Sequence, residues 1–283
     1  MRQEDIEYNE NLKNFKGDYR SLNNFVMEHT YKFCSDEPIM QMLTESTKAG
    51  QKVIYEKDEL RVEKDGPTTN IVISNKRSFE AAIPYFRAGK SVAVLNFANN
   101  HHVGGAPFSA GAQEESLCRI SNLYLCLLDA ETPFYKYHQD LYAKGLINDL
   151  GNSDIIYTRS VTVFKTDESS PKMMEKKDWY LVDVITCAAP VLYYKTSFDY
   201  KKYKESTILP RLRRVFEVAK QEQVDVLILG AWGCGAFHNP PEIIAEVFKT
   251  LCQEYHFDTI EFAIDANRKP NSNYDVFREV FAK

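Results

Sequence analysis

The chain has 283 residues, 44% hydrophobic and 13% aromatic, which is ample for the core of one large domain. A formal net charge of −5 argues against a general nucleic-acid-wrapping surface, so any affinity for phosphate is local. The opening MRQEDIEYNE lacks the apolar stretch of a signal peptide, and the most apolar run, LVDVITCAAPVL from Leu181, is short for a membrane span and carries Asp183, so a soluble, cytoplasmic protein without membrane contacts is expected.

From Asn9 to Lys48, apolar residues recur at helical spacing (Leu12, Phe15, Leu22, Phe25, Val26, Phe33), which predicts two or three helices ahead of the main domain. Val53–Tyr55 and Ile71–Ile73 read as strands, the second after a Gly66-Pro67 turn. Ser78 is a candidate cap for a helix through Phe86 that stops at Gly89.

The stretch Ser91–Leu125 is the most informative. It passes from a β-branched run through a turn-rich loop with Gly104, Gly105, Pro107 and Gly111 into an apolar-periodic segment starting near Gln113. Glycines between a strand end and a helix start let backbone N–H groups approach an anion, to which the helix N-terminus adds partial positive charge. Glu114 and Glu115 stand at that helix start, a position the helix dipole favours for acids anyway.

Pro133 and FYKYHQDLY predict a short helix ending near Gly145, followed by strands at Ile155–Tyr157 and Val161–Phe164. Lys165–Asp178 is charged and aperiodic, and is expected to be a mobile loop. Leu181–Ala188, Val224–Leu229 and Ile260–Ile264 are nearly continuous apolar runs, as suits strands covered on both faces. Arg211, Arg213 and Arg214 read as a solvated helix face rather than an anion patch.

A second glycine loop, Gly230 to Phe237, again follows an apolar strand. Asn239 before Pro240 and Pro241 reads as the N-cap of a helix through Cys252, and Trp232 as core. Strands alternating with helices give a three-layer α/β/α domain.

Other glycine-loop chemistries fail on spacing: no G-x-x-x-x-G-K-[ST] occurs, and neither loop completes G-x-G-x-x-G. The six cysteines form no C-x-x-C pair and read as packing residues. His101 and His102, adjacent and without a third ligand at useful spacing, read as surface loop. No metal or cofactor is called for.

VGGAPFSAGAQEESLCRISNLY resembles the glycine-loop plus Gln-Glu-Glu signature of the microbial-type poly(ADP-ribose) glycohydrolases, which are elaborated macrodomains, and LILGAWGCGAFHNPPEIIAEVF resembles their second loop. The resemblance spans about residues 50 to 265. It implies a macrodomain-like α/β fold with a mixed central sheet: a single domain over residues 1–283, with residues 1–50 as a helical extension and 51–283 as the core.

The resemblance also implies an activity, release of ADP-ribose from poly(ADP-ribose) or ADP-ribosylated macromolecules by a monomeric enzyme. Glu115 would be the acid at the ribose anomeric carbon, while Glu114 and Gln113 hold sugar hydroxyls and the loop. Asn99 would face a ribose. Asn96, brought with it to the C-terminal edge of strand Val92–Leu95, is either a further substrate contact or a residue that satisfies turn backbone. The pyrophosphate is expected between Gly104–Gly105–Ala106 and Gly233–Cys234–Gly235–Ala236–Phe237, with Phe237 beside the sugar.

Two consecutive residues on a helix diverge by about a hundred degrees, so the two glutamates are expected to have different tasks. One departure stands out: the family loop has three consecutive glycines, and Ala106 takes the place of the third. That substitution motivates an alternative, a catalytically silent ADP-ribose reader.

Overall fold

A computed structural model of the chain describes residues 2–193, 199–266 and 272–282. Three helices come first, α1 (Gln3–Lys13), α2 (Tyr19–Asp36) and α3 (Pro38–Ala49), followed by β1 (Lys52–Ile54), β2 (Asn70–Ser74) and α4 (Ser78–Arg87). Next are β3 (Val92–Ala98), α5 (Gln113–Ile120), α6 (Leu123–Asp129), a π-helical turn at Glu131–Lys136 that runs into α7 (Tyr137–Ala143), and β4 (Ile155–Val163). The remainder is β5 (Tyr180–Ala188), α8 (Tyr200–Tyr203), α9 (Leu209–Gln221), β6 (Val226–Leu229), α10 (Pro241–Glu254), β7 (Thr259–Ala263) and α11 (Asn273–Ala282).

The strands form one mixed seven-stranded sheet in the order β1-β4-β5-β3-β6-β7-β2. β5, β3, β6, β7 and β2 run parallel, and β4 is antiparallel to both β5 and β1. Alternation along the strands sorts two apolar layers. Ala93 and Leu95 of β3 pack towards α9 and α10, and Val92 and Val94 towards α4, α5 and α6. The three-layer α/β/α arrangement follows from these two faces. The two strand segments expected around Arg159 are one strand, β4, with a register shift between Thr158 and Val161 that Ser160 absorbs at φ +56°.

The N-terminal helices form a third apolar cluster in which Tyr8, Leu12, Val26, Phe33 and Met40 pack on Phe164 and Met173. This layer overturns the expectation of a mobile loop at Lys165–Asp178. The Met173 N–H donates to Asn9 Oδ1 at 2.9 Å, the Tyr8 hydroxyl to the Pro171 carbonyl at 2.7 Å, and Lys165 is fully buried. The Lys165 ammonium donates to Thr30 Oγ1 (2.7 Å) and the Val26 carbonyl (3.0 Å), and lies 4.4 Å from the centre of the Tyr8 ring. These partners come from the first thirty residues, which a local reading of the loop cannot supply.

The arginines of α9 are a second correction. Arg211 and Arg214 are buried and donate to carbonyls, Arg211 to Ala188 and Leu150, Arg214 to Tyr55 and Asp58; Arg213 pairs with Glu254. Arg211 and Arg214 tie loops to the helix instead of facing solvent, and Arg213 joins α9 to α10. Trp232 is core, its indole N–H on the Cys187 carbonyl at 2.9 Å, and five cysteines are buried, with Cys234 half-buried. His101 is partly buried and His102 exposed. Among the described residues no helix is long and apolar enough to cross a membrane.

Candidate active site

The parallel strands end on one edge of the sheet, where open α/β folds bind ligands. A cleft of about 360 Å³ lies there. The end of β3 contributes Phe97 and Asn99, the β6–α10 loop Gly233, Gly235, Ala236 and Phe237, and the end of β7 Ala263, Ile264 and Asp265. The β2–α4 junction adds Lys76, Arg77 and Ser78, and the first turn of α5 adds Gln113, Glu114 and Glu115.

That first turn is fastened at three successive residues. Gln113 Oε1 accepts the Phe97 N–H at 2.9 Å, and its Nε2 donates to the Leu95 carbonyl (2.8 Å) and Ser78 Oγ (3.0 Å). Its amide is thus engaged with β3 and α4, while the residue itself lines the cleft. Glu114, 2% exposed, accepts the Asn99 N–H on Oε2 at 2.7 Å and Asn96 Nδ2 on Oε1 at 3.2 Å. Burial holds its proton affinity well above the ordinary glutamate value, the Asn99 N–H and the Asn96 amide pull it down, and the Glu115 charge pushes it up.

Glu115 differs from its neighbour. Its Oε1 accepts the Ala106 N–H at 3.2 Å, while Oε2 has no hydrogen-bond partner among the described residues and belongs to a side chain that lines the cleft. One oxygen is fixed by the loop, and the other is buried without a partner. Both carboxylates also approach the same backbone point: a Cβ on Gly105 would meet Glu115 Oε1 at 2.4 Å and Glu114 Oε2 at 3.2 Å. The divergence expected of consecutive helical residues is overcome by side-chain rotation toward this loop.

The glycine loop serves these carboxylates instead of lining the cleft. Gly104 and Gly105 adopt φ of +62° and +70°, and a Cβ on Gly104 would stand 2.9 Å from Cys118 Sγ. Neither glycine nor Ala106 is among the residues that line the cleft. Ala106 is not among the residues at positive φ, so the backbone conformation by itself does not require a third glycine there.

In the second loop, Gly233 has φ +72°, and a Cβ on it would lie 2.5 Å from Ala189 Cβ and 2.6 Å from Asn239 Nδ2. Asn239 does not cap α10, whose N-cap is Pro240. Its amide donates instead to the carbonyls of Pro190 and Gly233, and it receives the Tyr203 hydroxyl. Cys234 does not line the cleft; its thiol turns to the Trp232 carbonyl at 3.6 Å.

Asn99 lines the cleft, with Oδ1 accepting the N–H groups of His101 and His102. Asn96 does not. β3 continues through Ala98, so Asn96 lies inside the sheet, fully buried, and supports Glu114.

Lys76, Arg77 and Asp167 were not singled out in the sequence. The first two lie at a strand-to-helix junction without glycine. Asp167 arrives from the Lys165–Asp178 loop, accepts the N–H groups of Phe79 (2.9 Å) and Glu80 (3.2 Å) at the start of α4, and pairs with Arg77 at 3.3 Å.

The family model of the microbial-type poly(ADP-ribose) glycohydrolase catalytic domain matches residues 24–166, half of the chain, from within α2 past the end of β4. The poly(ADP-ribose) glycohydrolase of Thermomonospora curvata, solved with the inhibitor ADP-HPD, is 26% identical, with a TM-score of 0.78 over 91% of this chain and 98% of that one. The enzyme of Deinococcus radiodurans in complex with ADP-ribose is 26% identical, with a TM-score of 0.69 over 84% of this chain and 96% of that one. No curated protein sequence matches. With half of the chain, both glutamates and the first glycine loop inside the match, the chain belongs to the microbial-type poly(ADP-ribose) glycohydrolase family.

Proposed function

We infer that the chain hydrolyses the ribose glycosidic bond of poly(ADP-ribose) and releases ADP-ribose, with Glu115 as the acid. The observation that carries this reading is the place of Glu115, a residue that lines the cleft with one carboxyl oxygen held by the Ala106 N–H and the other buried without a partner among the described residues. A protonated Glu115 donates to the leaving ribose oxygen as the bond to the anomeric carbon breaks and an oxocarbenium-like centre develops. The resulting carboxylate then takes a proton from water as the water oxygen adds to that carbon, which restores the acid and completes ADP-ribose.

Glu114 accepts sugar hydroxyls beside it, Phe237 offers an aromatic face to the sugar, and Lys76 and Arg77 place positive charge in the cleft for a diphosphate. The reading carries with it a cytoplasmic monomer acting on modified macromolecules, which fractionation and light scattering test.

The deciding experiment incubates automodified poly(ADP-ribose) with the wild type and with Glu115→Gln. Release by the wild type, a fall of roughly a hundredfold or more in the variant, and retained ADP-ribose binding in both are expected. Equal release by both proteins would remove the assignment of Glu115.

A further inference from the structure

We propose that Asn96 is a positioning residue for the reaction: its side-chain amide, fixed by Thr186 of the neighbouring strand, holds Glu114 in the orientation that turnover requires, from inside the sheet and without touching substrate. The proposal rests on the glycohydrolase reading above.

An asparagine is costly at this place. β3 reads VAVLNFA, and Asn96 lies in register with Thr186 of β5, so two polar side chains face each other between central strands, both fully buried. A hydrocarbon side chain would suit such a position better, since the Asn96 carbonyl oxygen has no hydrogen-bond partner among the described residues. What the residue gains is its amide nitrogen. Nδ2 donates one hydrogen to Glu114 Oε1 and one to Thr186 Oγ1, each at 3.2 Å. With Oε2 held by the Asn99 N–H at 2.7 Å, the Glu114 carboxylate is fastened at both oxygens, and Glu115 follows it in the same helical turn.

The charge balance points the same way. Glu115 and Cys118 face Glu114 from α5, and Tyr135 from the π-helical turn. Burial keeps the thiol and the phenol protonated, so neither compensates the Glu114 charge. Among the described residues, the donors that favour ionised Glu114 are the Asn99 N–H and the Asn96 amide. The first belongs to the backbone, and Asn96 is the side chain that sets this balance. Losing it leaves a buried carboxylate oxygen bare, and protonation of Glu114 becomes easier.

The test measures kcat and KM on poly(ADP-ribose) as a function of pH, and ADP-ribose affinity by calorimetry, for the wild type, Asn96→Leu, Thr186→Val and Thr186→Ser. For Asn96→Leu we expect kcat to fall roughly tenfold or more, the low-pH limb of the kcat profile to move to higher pH, and ADP-ribose affinity to fall by clearly less than kcat. Thr186→Val acts in the same direction more weakly, and Thr186→Ser, which keeps a hydroxyl, recovers most of the loss. If Asn96→Leu does not fold, Thr186→Val decides by the same readouts. A wild-type kcat and pH profile in the folded variants overturns the proposal, as does an affinity loss that matches the loss in kcat. An inactive wild type overturns the glycohydrolase reading itself, and the proposal with it.

Discussion

Gly105 and Glu115 stand so close that a Cβ on the glycine would lie 2.4 Å from the Glu115 Oε1 atom. The loop residue and the carboxylate therefore shape each other, and Gly105 also sits at φ +70°, where a side chain is strained. Gly105→Val should displace the carboxyl group from the Ala106 N–H. Turnover is expected to fall by roughly a hundredfold while ADP-ribose binds with much smaller loss, because Gly105 does not line the cleft. Steady-state kinetics and calorimetry on the same preparation check this, and equal losses in both would place Gly105 against the ligand.

Gly233 and Gly235 make a paired comparison within the second loop. Gly233→Ala meets Ala189 and Asn239 at φ +72°, whereas a Cβ on Gly235 meets nothing within 4 Å. The first variant should lose on the order of 1–3 kcal/mol of stability and also bind ADP-ribose weakly. The second should melt like the wild type and lose affinity alone, because its methyl occupies space meant for the ligand. Thermal melts and binding isotherms on both separate a frame role from a contact role.

Asp167 terminates α4 from outside the helix by accepting the N–H groups of Phe79 and Glu80. Replacing it with alanine removes a helix cap at a cost of about 1–2 kcal/mol. It also releases Arg77 inside the cleft, so a several-fold change in ADP-ribose affinity should accompany the stability loss. A denaturant midpoint equal to that of the wild type would show that the cap contributes nothing.

Lys165 supplies a pH signature. Burial pushes its ammonium well below the ordinary lysine value of 10.5. In the window between the folded and unfolded values, the unfolded chain binds a proton that the folded chain does not. Stability from this group therefore rises with pH across that window and levels off above it. Lys165→Met removes the effect, so the stability of the wild type relative to the variant should grow with rising pH below about pH 10. Urea unfolding of both proteins at several pH values measures it, and a difference independent of pH would contradict it.

Much of this protein was legible in its sequence because the signals were local. Apolar runs of strand length marked β5, β6 and β7, helical periodicity marked the N-terminal helices, and a strand, a glycine loop and a helix beginning Gln-Glu-Glu marked the chemistry. Glycine at 104 and 105 is a local demand of the backbone, so it could be read without knowing the fold.

What the tertiary structure alone decided concerns partners distant in the chain. Asn96 proved a support for Glu114 because β3 runs on to Ala98, past the expected end at Leu95, and Thr186 lies opposite it. Gln113 proved a fastening because Ser78 and the β3 backbone lie within its reach. Asp167 became the cap of α4, and Lys165 was buried, because the N-terminal helices press their loop against the domain. Residue type and spacing set which hydrogen bonds a side chain is able to make, and packing between distant segments chooses which ones it does make.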